Sequence, residues 1–373
     1  MTAAPGAAPQ GVTPDHAAGD PTAPLRRAEV NLGAIAANVA LLGGLAGRRA
    51  IVAMVGANAL GHGRAEVART VLDSGAALLA VPDLVEARQL RAAGIDAPLL
   101  SWLHGADDMA VAASLGVTPA ISSVSQFDAA AAAGVETAHL VPGIGGGQPG
   151  IPSSDWAELC ARAAADGSPR ITGLMGTART AEARERFAEA TVAALEADLP
   201  IELVHGIDYE PGDDVDGDTA LRIGASLFGL SDRPGARPRD SGLRPAMTLS
   251  AVVVGIKSSA AGVGVSYGYR YLTTAQTTLA MVAIGYADGI DRAAGNLVPV
   301  SLGGRRFTVA GRVAMDALVL DVGDLAVRPG EYATLFGDAE TGVPHIDEWA
   351  DALGTTSAEI VARVARRVPR SHR

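Results

Sequence analysis

Lys257 is the only lysine in the 373 residues, and Cys160 is the only cysteine. Chemistry that begins with a side-chain amine, a Schiff base above all, must therefore use Lys257 or do without. Lys257 falls at the end of a strand-like run late in the chain, where it reads as a solvated surface lysine. A single cysteine excludes an internal disulfide and fits a reducing cytoplasm. Between leucine and alanine, Cys160 reads as a small core residue rather than a nucleophile. His62, His104, His139 and His205 are scattered, without carboxylate or cysteine at ligand spacing, so no metal site is expected.

The composition narrows the field further. A net charge of −11, no basic run and 4% aromatic residues argue against a nucleic-acid partner. No apolar stretch reaches the roughly 18 residues that a membrane span needs. The N-terminus lacks the basic-then-apolar order of a signal peptide, so a cytoplasmic location is expected. A hydrophobic fraction of 48% supports a sizeable core, and the length suits one large domain plus a smaller one.

Residues 1–24 are mostly Ala, Pro, Gly, Thr and Asp without periodicity, and read as a disordered leader. Helical spacing begins over Val30–Leu45. Short apolar runs then alternate with amphipathic stretches: Ile51–Val55, Leu78–Val81, Pro98–Trp102, Pro119–Ser122, His139–Val141, Ile171–Met175, Glu202–His205 and Leu221–Phe228. Helices are expected between them, as at Asp83–Ala93, Val124–Ala133, Asp155–Ala165 and Thr180–Leu195. Alternating strands and helices give parallel βαβ units, and eight strands close a barrel. An open doubly wound sheet is the alternative, disfavoured because no glycine-rich dinucleotide loop follows the first run. Past about Arg244 the strand-like runs are separated only by Gly, Asp or Pro turns, which predicts an antiparallel β domain with two closing helices. The expected division is a (β/α)8 barrel over residues 25–243 and a β domain over 244–373.

This layout, and several long motifs on it, resemble the alanine racemase family of fold-type III pyridoxal-phosphate enzymes. Gly56-Ala57-Asn58-Ala59-Leu60-Gly61-His62-Gly63 resembles the family's lysine-bearing K-A-N-A-Y-G-H-G segment. Leu79–Leu100, Ser266-Tyr267-Gly268, Ile284–Gly289, Gly311–Asp316 and Arg367–Arg370 are similar to further family segments. The resemblance covers about Arg26 to Arg370. It implies that Tyr267 is a second base supplied by a partner subunit, and that Met315 and Asp316 cross the dimer with it. It also implies that His62 and Asn58 belong to the first-strand motif, that Arg222 faces a pyridine nitrogen, and that Tyr286 lines the entrance.

The same resemblance marks departures. The Schiff-base lysine's place is Gly56. Hydroxyl donors to the phosphate are replaced by Leu60, Tyr209 and Ala358, at about 1.5–3 kcal/mol each. A lysine and a carboxylate-binding arginine become Val141 and Gln148, and a histidine becomes Thr177. From these losses the expectation is a degenerate racemase-fold protein that uses no cofactor: a repurposed enzyme of proton-transfer, cyclisation or isomerisation type in a biosynthetic pathway. Tyr267, His62 and Asp316 would act on a small-molecule substrate, bound by Arg222, Met315, Tyr286, Asn58, Gln148 and Tyr209 in a homodimer with shared sites. A non-catalytic pseudoenzyme or partner subunit is the alternative, and a working alanine racemase the reading least expected.

Overall fold

A computed structural model describes residues 24–147 and 149–373, so all but the last residue of the leader expected over 1–24, and Gln148, lie outside the described residues. The chain divides into two compact units, one of Val30–Ala246 with His372–Arg373, the other of the residues up to Glu29 with Met247–Ser371.

The first unit is the barrel. Its strands are Ala50–Met54, Leu78–Val81, Leu99–Ser101, Val117–Ile121, Thr137–Leu140, Arg170–Met175, Leu203–His205 and Ala220–Ile223, the first seven hydrogen-bonded in parallel in that order. Strands covered on both faces need apolar side chains in both directions, and all four residues of Leu78–Val81 are buried. The last strand returns to the first in the register Ala50↔Ala220 and Ala53↔Ile223. Between the seventh and eighth strands the ring is drawn together by Thr219, whose N–H donates to Val204 O at 2.9 Å while its Oγ1 accepts from Val204 N at 2.8 Å. The expected eighth run ends early, at Ile223, because Gly224 leads into a 3₁₀ turn over Ala225–Phe228.

Short polar residues start the barrel helices. Asn31, Asp83, Ser123 and Thr180 each accept an N–H three residues on, ahead of helices Leu32–Ala46, Leu84–Ala92, Val124–Ala132 and Ala181–Glu196. Each such cap contributes about 1 kcal/mol. Between strands and helices, Phe127, Leu140, Trp156, Ile171, Leu174 and Phe187 form one buried cluster, and a smaller one with Val52, Ala80, Leu100 and Met175 fills the ring. Cys160 is buried in the first cluster, and burial pushes its thiol up to about 11.

The second unit is built on the long strand Met247–Ser259, which pairs antiparallel with Thr277–Val282 and with Tyr332–Phe336. Lys257 lies inside this strand, opposite Leu279, and is exposed. The strand Arg26–Val30 was not expected from the sequence; it sits in this sheet between Met247–Ser259 and Arg370–His372. Helices Ile346–Leu353 and Ser357–Ala362 close the unit. No helix among the described residues is long and apolar enough to cross a membrane.

Candidate active site

The carboxyl ends of the barrel strands deliver a string of buried polar groups. Arg222, on the eighth strand, is 1% exposed. Its Nε donates to Asp208 Oδ1 at 2.5 Å, its Nη2 to Gly176 O at 2.8 Å, and its Nη1 to His205 Nδ1 at 3.0 Å. A guanidinium only donates, so His205 carries its proton on Nε2 and gives it to His139 Nδ1, 3.0 Å away. Burial, and then the Arg222 charge, hold His139 down to about 4. Burial, then His139 and Arg222, hold His205 well below the ordinary histidine range. Both rings are therefore neutral near pH 7. Asp208 is the open end of the string, with Arg179 3.9 Å from its other oxygen.

This arrangement has a consequence in acid. Below the ordinary histidine value of 6.5 the unfolded chain binds two protons that the folded chain refuses, at His139 until about pH 4 and at His205, which burial also holds well below the ordinary range. Stability therefore falls as pH drops through that window. Asp218 works oppositely: burial raises it from 3.8 to about 6, so its folded carboxyl takes a proton before its unfolded one. Asp218→Asn is expected to steepen the stability loss between about pH 6 and 4 by about one proton, or ~1.4 kcal/mol per pH unit. Urea unfolding of both proteins across that range checks it, and parallel curves would show that Asp218 titrates normally.

The turn after the first barrel strand is strained. Ala57, Asn58, Ala59 and Leu60 all lie in the left-handed region, at φ 51°, 56°, 54° and 47°. Each costs roughly 1–2 kcal/mol for a residue with a Cβ. The turn is held from outside. Glu86 Oε2 accepts from Ala57 N at 3.1 Å, Asn58 Oδ1 accepts from Arg64 N at 3.0 Å, and Gly63 N donates to Asn58 O at 3.1 Å. Arg64 pairs with Glu86 at 2.5 Å. Burial, opposed by Arg64, leaves the Glu86 carboxyl above its usual range. His62 is fully buried in the same turn, its Nδ1 2.9 Å from Ala59 O and its ring stacked 4.4 Å from Phe228.

In the β unit, three turns present a row of exposed side chains. Tyr267 is 68% exposed, Met315 54% and Tyr286 42%. Ser266 Oγ donates to Arg312 O at 2.6 Å, and Tyr286 N donates to Ala314 O at 3.0 Å, so the segment around Met315 ties the tyrosine-bearing turns together. Gly285 is needed here, since a Cβ would stand 2.3 Å from Ala314 O. Asp316 accepts from Arg367 at 2.5 Å. Beneath them, fully buried Asp288 meets Arg26 at 2.6 Å and Arg367 at 2.7 Å.

The expected site residues thus fall into two groups. Tyr267, Tyr286, Met315 and Asp316 gather on the β unit, and His62, Asn58, Arg222 and Tyr209 on the barrel. Tyr209 is buried, with its N–H on Arg222 O at 2.7 Å. Asp208 was missed as a partner of Arg222, although it stands beside Tyr209 at a strand end; Glu86 and Pro82, which surround Gly56, gave no signal. No group of three or more His, Cys, Asp or Glu residues is placed to hold a metal among the described residues.

Residues 30–232 match the model for "Alanine racemase, N-terminal domain", and residues 246–372 the one for "Alanine racemase, C-terminal domain". The chain belongs to the alanine racemase family. An alanine racemase of Thermobifida fusca is 41% identical over 365 residues, covering 92% of this chain and 96% of the relative. One of Mycolicibacterium smegmatis is 39% identical, covering 94% and 96%. Among solved structures, the alanine racemase of D-cycloserine-producing Streptomyces lavendulae superposes with a TM-score of 0.87 at 35% identity, covering 94% of this chain and 98% of that one. The alanine racemase of Streptomyces coelicolor A3(2) gives 0.86 at 36%, covering 93% and 97%.

These comparisons correct the functional expectation. A repurposed enzyme of cyclisation or isomerisation type, independent of pyridoxal phosphate and not a working racemase, is contradicted by relatives near 40% identity that bear the racemase's name along almost their whole length. That expectation rested on a handful of substituted positions, whereas the agreement runs through both halves of the alanine racemase fold. The reading least expected is the one the relatives favour.

Proposed function

We propose that this chain is an alanine racemase that lacks a Schiff-base lysine of its own, a degenerate member of its family with Gly56 in the lysine's place. The observation that carries the reading is the near-full-length agreement with named racemases, together with the polar string that ends at Arg222 and Asp208 in the barrel mouth. The substrate class is a small α-amino acid, alanine first. The working unit is a homodimer in the cytoplasm, in which the Tyr267 platform of one protomer completes the barrel mouth of the other. That assembly accounts for three large side chains standing exposed together in the β unit.

The family's cofactor, pyridoxal phosphate, supplies an electron sink for the α-carbon when it is bound. The residues present do not fit its covalent form. Gly56 offers no amine, and Leu60, Tyr209 and Ala358 stand where the family places hydroxyl donors. What the chain's own groups do can be stated without it. Arg222 is fixed in one orientation by Asp208, His205 and Gly176, which makes it a rigid donor wall. The Tyr267 phenol is the group free to hold and move a proton at the α-carbon, and Tyr286 and Met315 bound the entrance. Asn58 and His62 keep the strained turn in shape.

The test is racemisation of L-alanine with pyridoxal phosphate present, with and without methylamine to stand in for the missing lysine. Turnover is expected to rise with methylamine and to fall by about 10²-fold or more in Tyr267→Phe. No D-alanine under either condition would overturn the reading. Turnover indifferent to Tyr267→Phe would remove Tyr267 from the site.

A further inference from the structure

We infer that Pro82 locks position 56 as glycine, so that the loss of the lysine is built into this chain twice over. The inference rests on the reading of Gly56 as the lysine's place. A Cβ on Gly56 would stand 2.7 Å from Pro82 Cδ and 3.4 Å from Pro82 Cγ, with Glu86 Oε2 next at 3.7 Å. Carbon atoms do not approach to 2.7 Å without displacement, so any side chain at 56 must move the proline ring. The backbone is no obstacle, because Gly56 is absent from the positive-φ positions that begin with the next residue. The obstacle is the ring alone.

The ring cannot swing aside as the end of a flexible side chain would. Its φ is fixed by the pyrrolidine. The carbonyl of Pro82 accepts from Leu103 N at 2.6 Å, from Trp102 N at 3.3 Å and from Ser101 Oγ at 3.3 Å. The next residue, Asp83, caps helix Leu84–Ala92 by accepting from Glu86 N at 2.8 Å. Pro82 is thus held by the third strand's exit loop on one side and by a helix start on the other. Gly56 is held by the strained turn that follows it, through the Glu86 carboxylate on Ala57 N. Neither wall of the contact can retreat. Pro82 is therefore a positioning residue that sets what position 56 can carry. An amine can return there only when the ring is removed as well.

A four-protein cycle tests this: the full chain, Gly56→Ala, Pro82→Ala and the double variant, compared by thermal unfolding. Overpacking against a fixed ring is expected to lower the midpoint of Gly56→Ala by about 3–8 °C in the native background. The same change should cost less than about 2 °C once Pro82 is alanine. Equal shifts in both backgrounds would overturn the inference. Borohydride trapping with pyridoxal phosphate and peptide mass mapping then separates the two readings. Gly56→Lys with Pro82→Ala is expected to give one adduct at residue 56, and Gly56→Lys alone under about a tenth as much. Equal trapping by both lysine variants would again overturn the lock. Thermal coupling without an adduct from either would support the lock and overturn the assignment of 56 as the lysine's place.

Discussion

Arg222→Met is expected to destabilise the barrel by about 3–5 kcal/mol, the cost of removing one member of a buried, hydrogen-bonded charge pair. The guanidinium is 1% exposed and serves three acceptors at once, Asp208 Oδ1, His205 Nδ1 and Gly176 O. Methionine fills much of the volume and satisfies none of them. His205 is fully buried, so its orphaned nitrogen carries a desolvation penalty that water cannot relieve. Asp208 is a third exposed and can turn to solvent, which places the loss toward the lower end of that range. The variant should also be less sensitive to acid, since the Arg222 charge is one reason His139 and His205 resist protonation. Urea unfolding at pH 7 and pH 5 measures both effects. A loss under about 1 kcal/mol would mean that the string contributes little to the barrel's stability.

Asp288→Ala is expected to cost the β unit a similar amount, about 3–5 kcal/mol. Its carboxylate is wholly buried, meets both Arg26 and Arg367, and accepts from Gly285 N at 2.9 Å. Arg26 is 18% exposed on its side chain, so once Asp288 is gone it keeps a partly desolvated charge without a partner. The same carboxylate fixes the turn that carries Tyr286. Loss of the charge alone, in Asp288→Asn, should therefore cost less stability than Asp288→Ala while still loosening the Tyr286 turn. Hydrogen exchange at Tyr286 and Ala287, whose N–H groups bond Ala314 and Met315, separates the two effects. Unchanged protection at those amides would show that the turn stands without the ion pair.

The eight barrel strands were legible because burial on both faces writes an unbroken apolar run, as in Leu78–Val81, and because Asp83, Ser123 and Thr180 announce the helices that follow. Arg26–Val30 was not legible. Its sequence, Arg-Arg-Ala-Glu-Val, carries three charges, and its partner strands lie at the other end of the chain. The motifs picked out Tyr267, Tyr286, Met315 and Asp316, which the fold gathers on one unit, since each sits in a turn whose residues are fixed by local backbone demands. Contacts between distant segments were hidden. Asp208 reaches Arg222 only when the barrel closes, and Pro82, 26 residues after Gly56, looks like any proline ahead of a helix. Substituted positions near a motif weighed too heavily in the functional expectation, because single sites are easier to read than agreement spread along 365 residues.

The β unit is discontinuous: one strand precedes the barrel, and every other part follows it. Protein synthesis is vectorial, so Arg26–Val30 leaves the ribosome long before Met247–Ser259 exists to pair with it. At roughly 5–20 residues per second, the barrel-forming stretch alone takes on the order of 10–40 s to make. Throughout that interval a strand with two unpaired edges waits in the company of a nascent barrel. Its three charged residues suit that wait, because like those on other exposed edges they discourage the strand from pairing with the wrong neighbour.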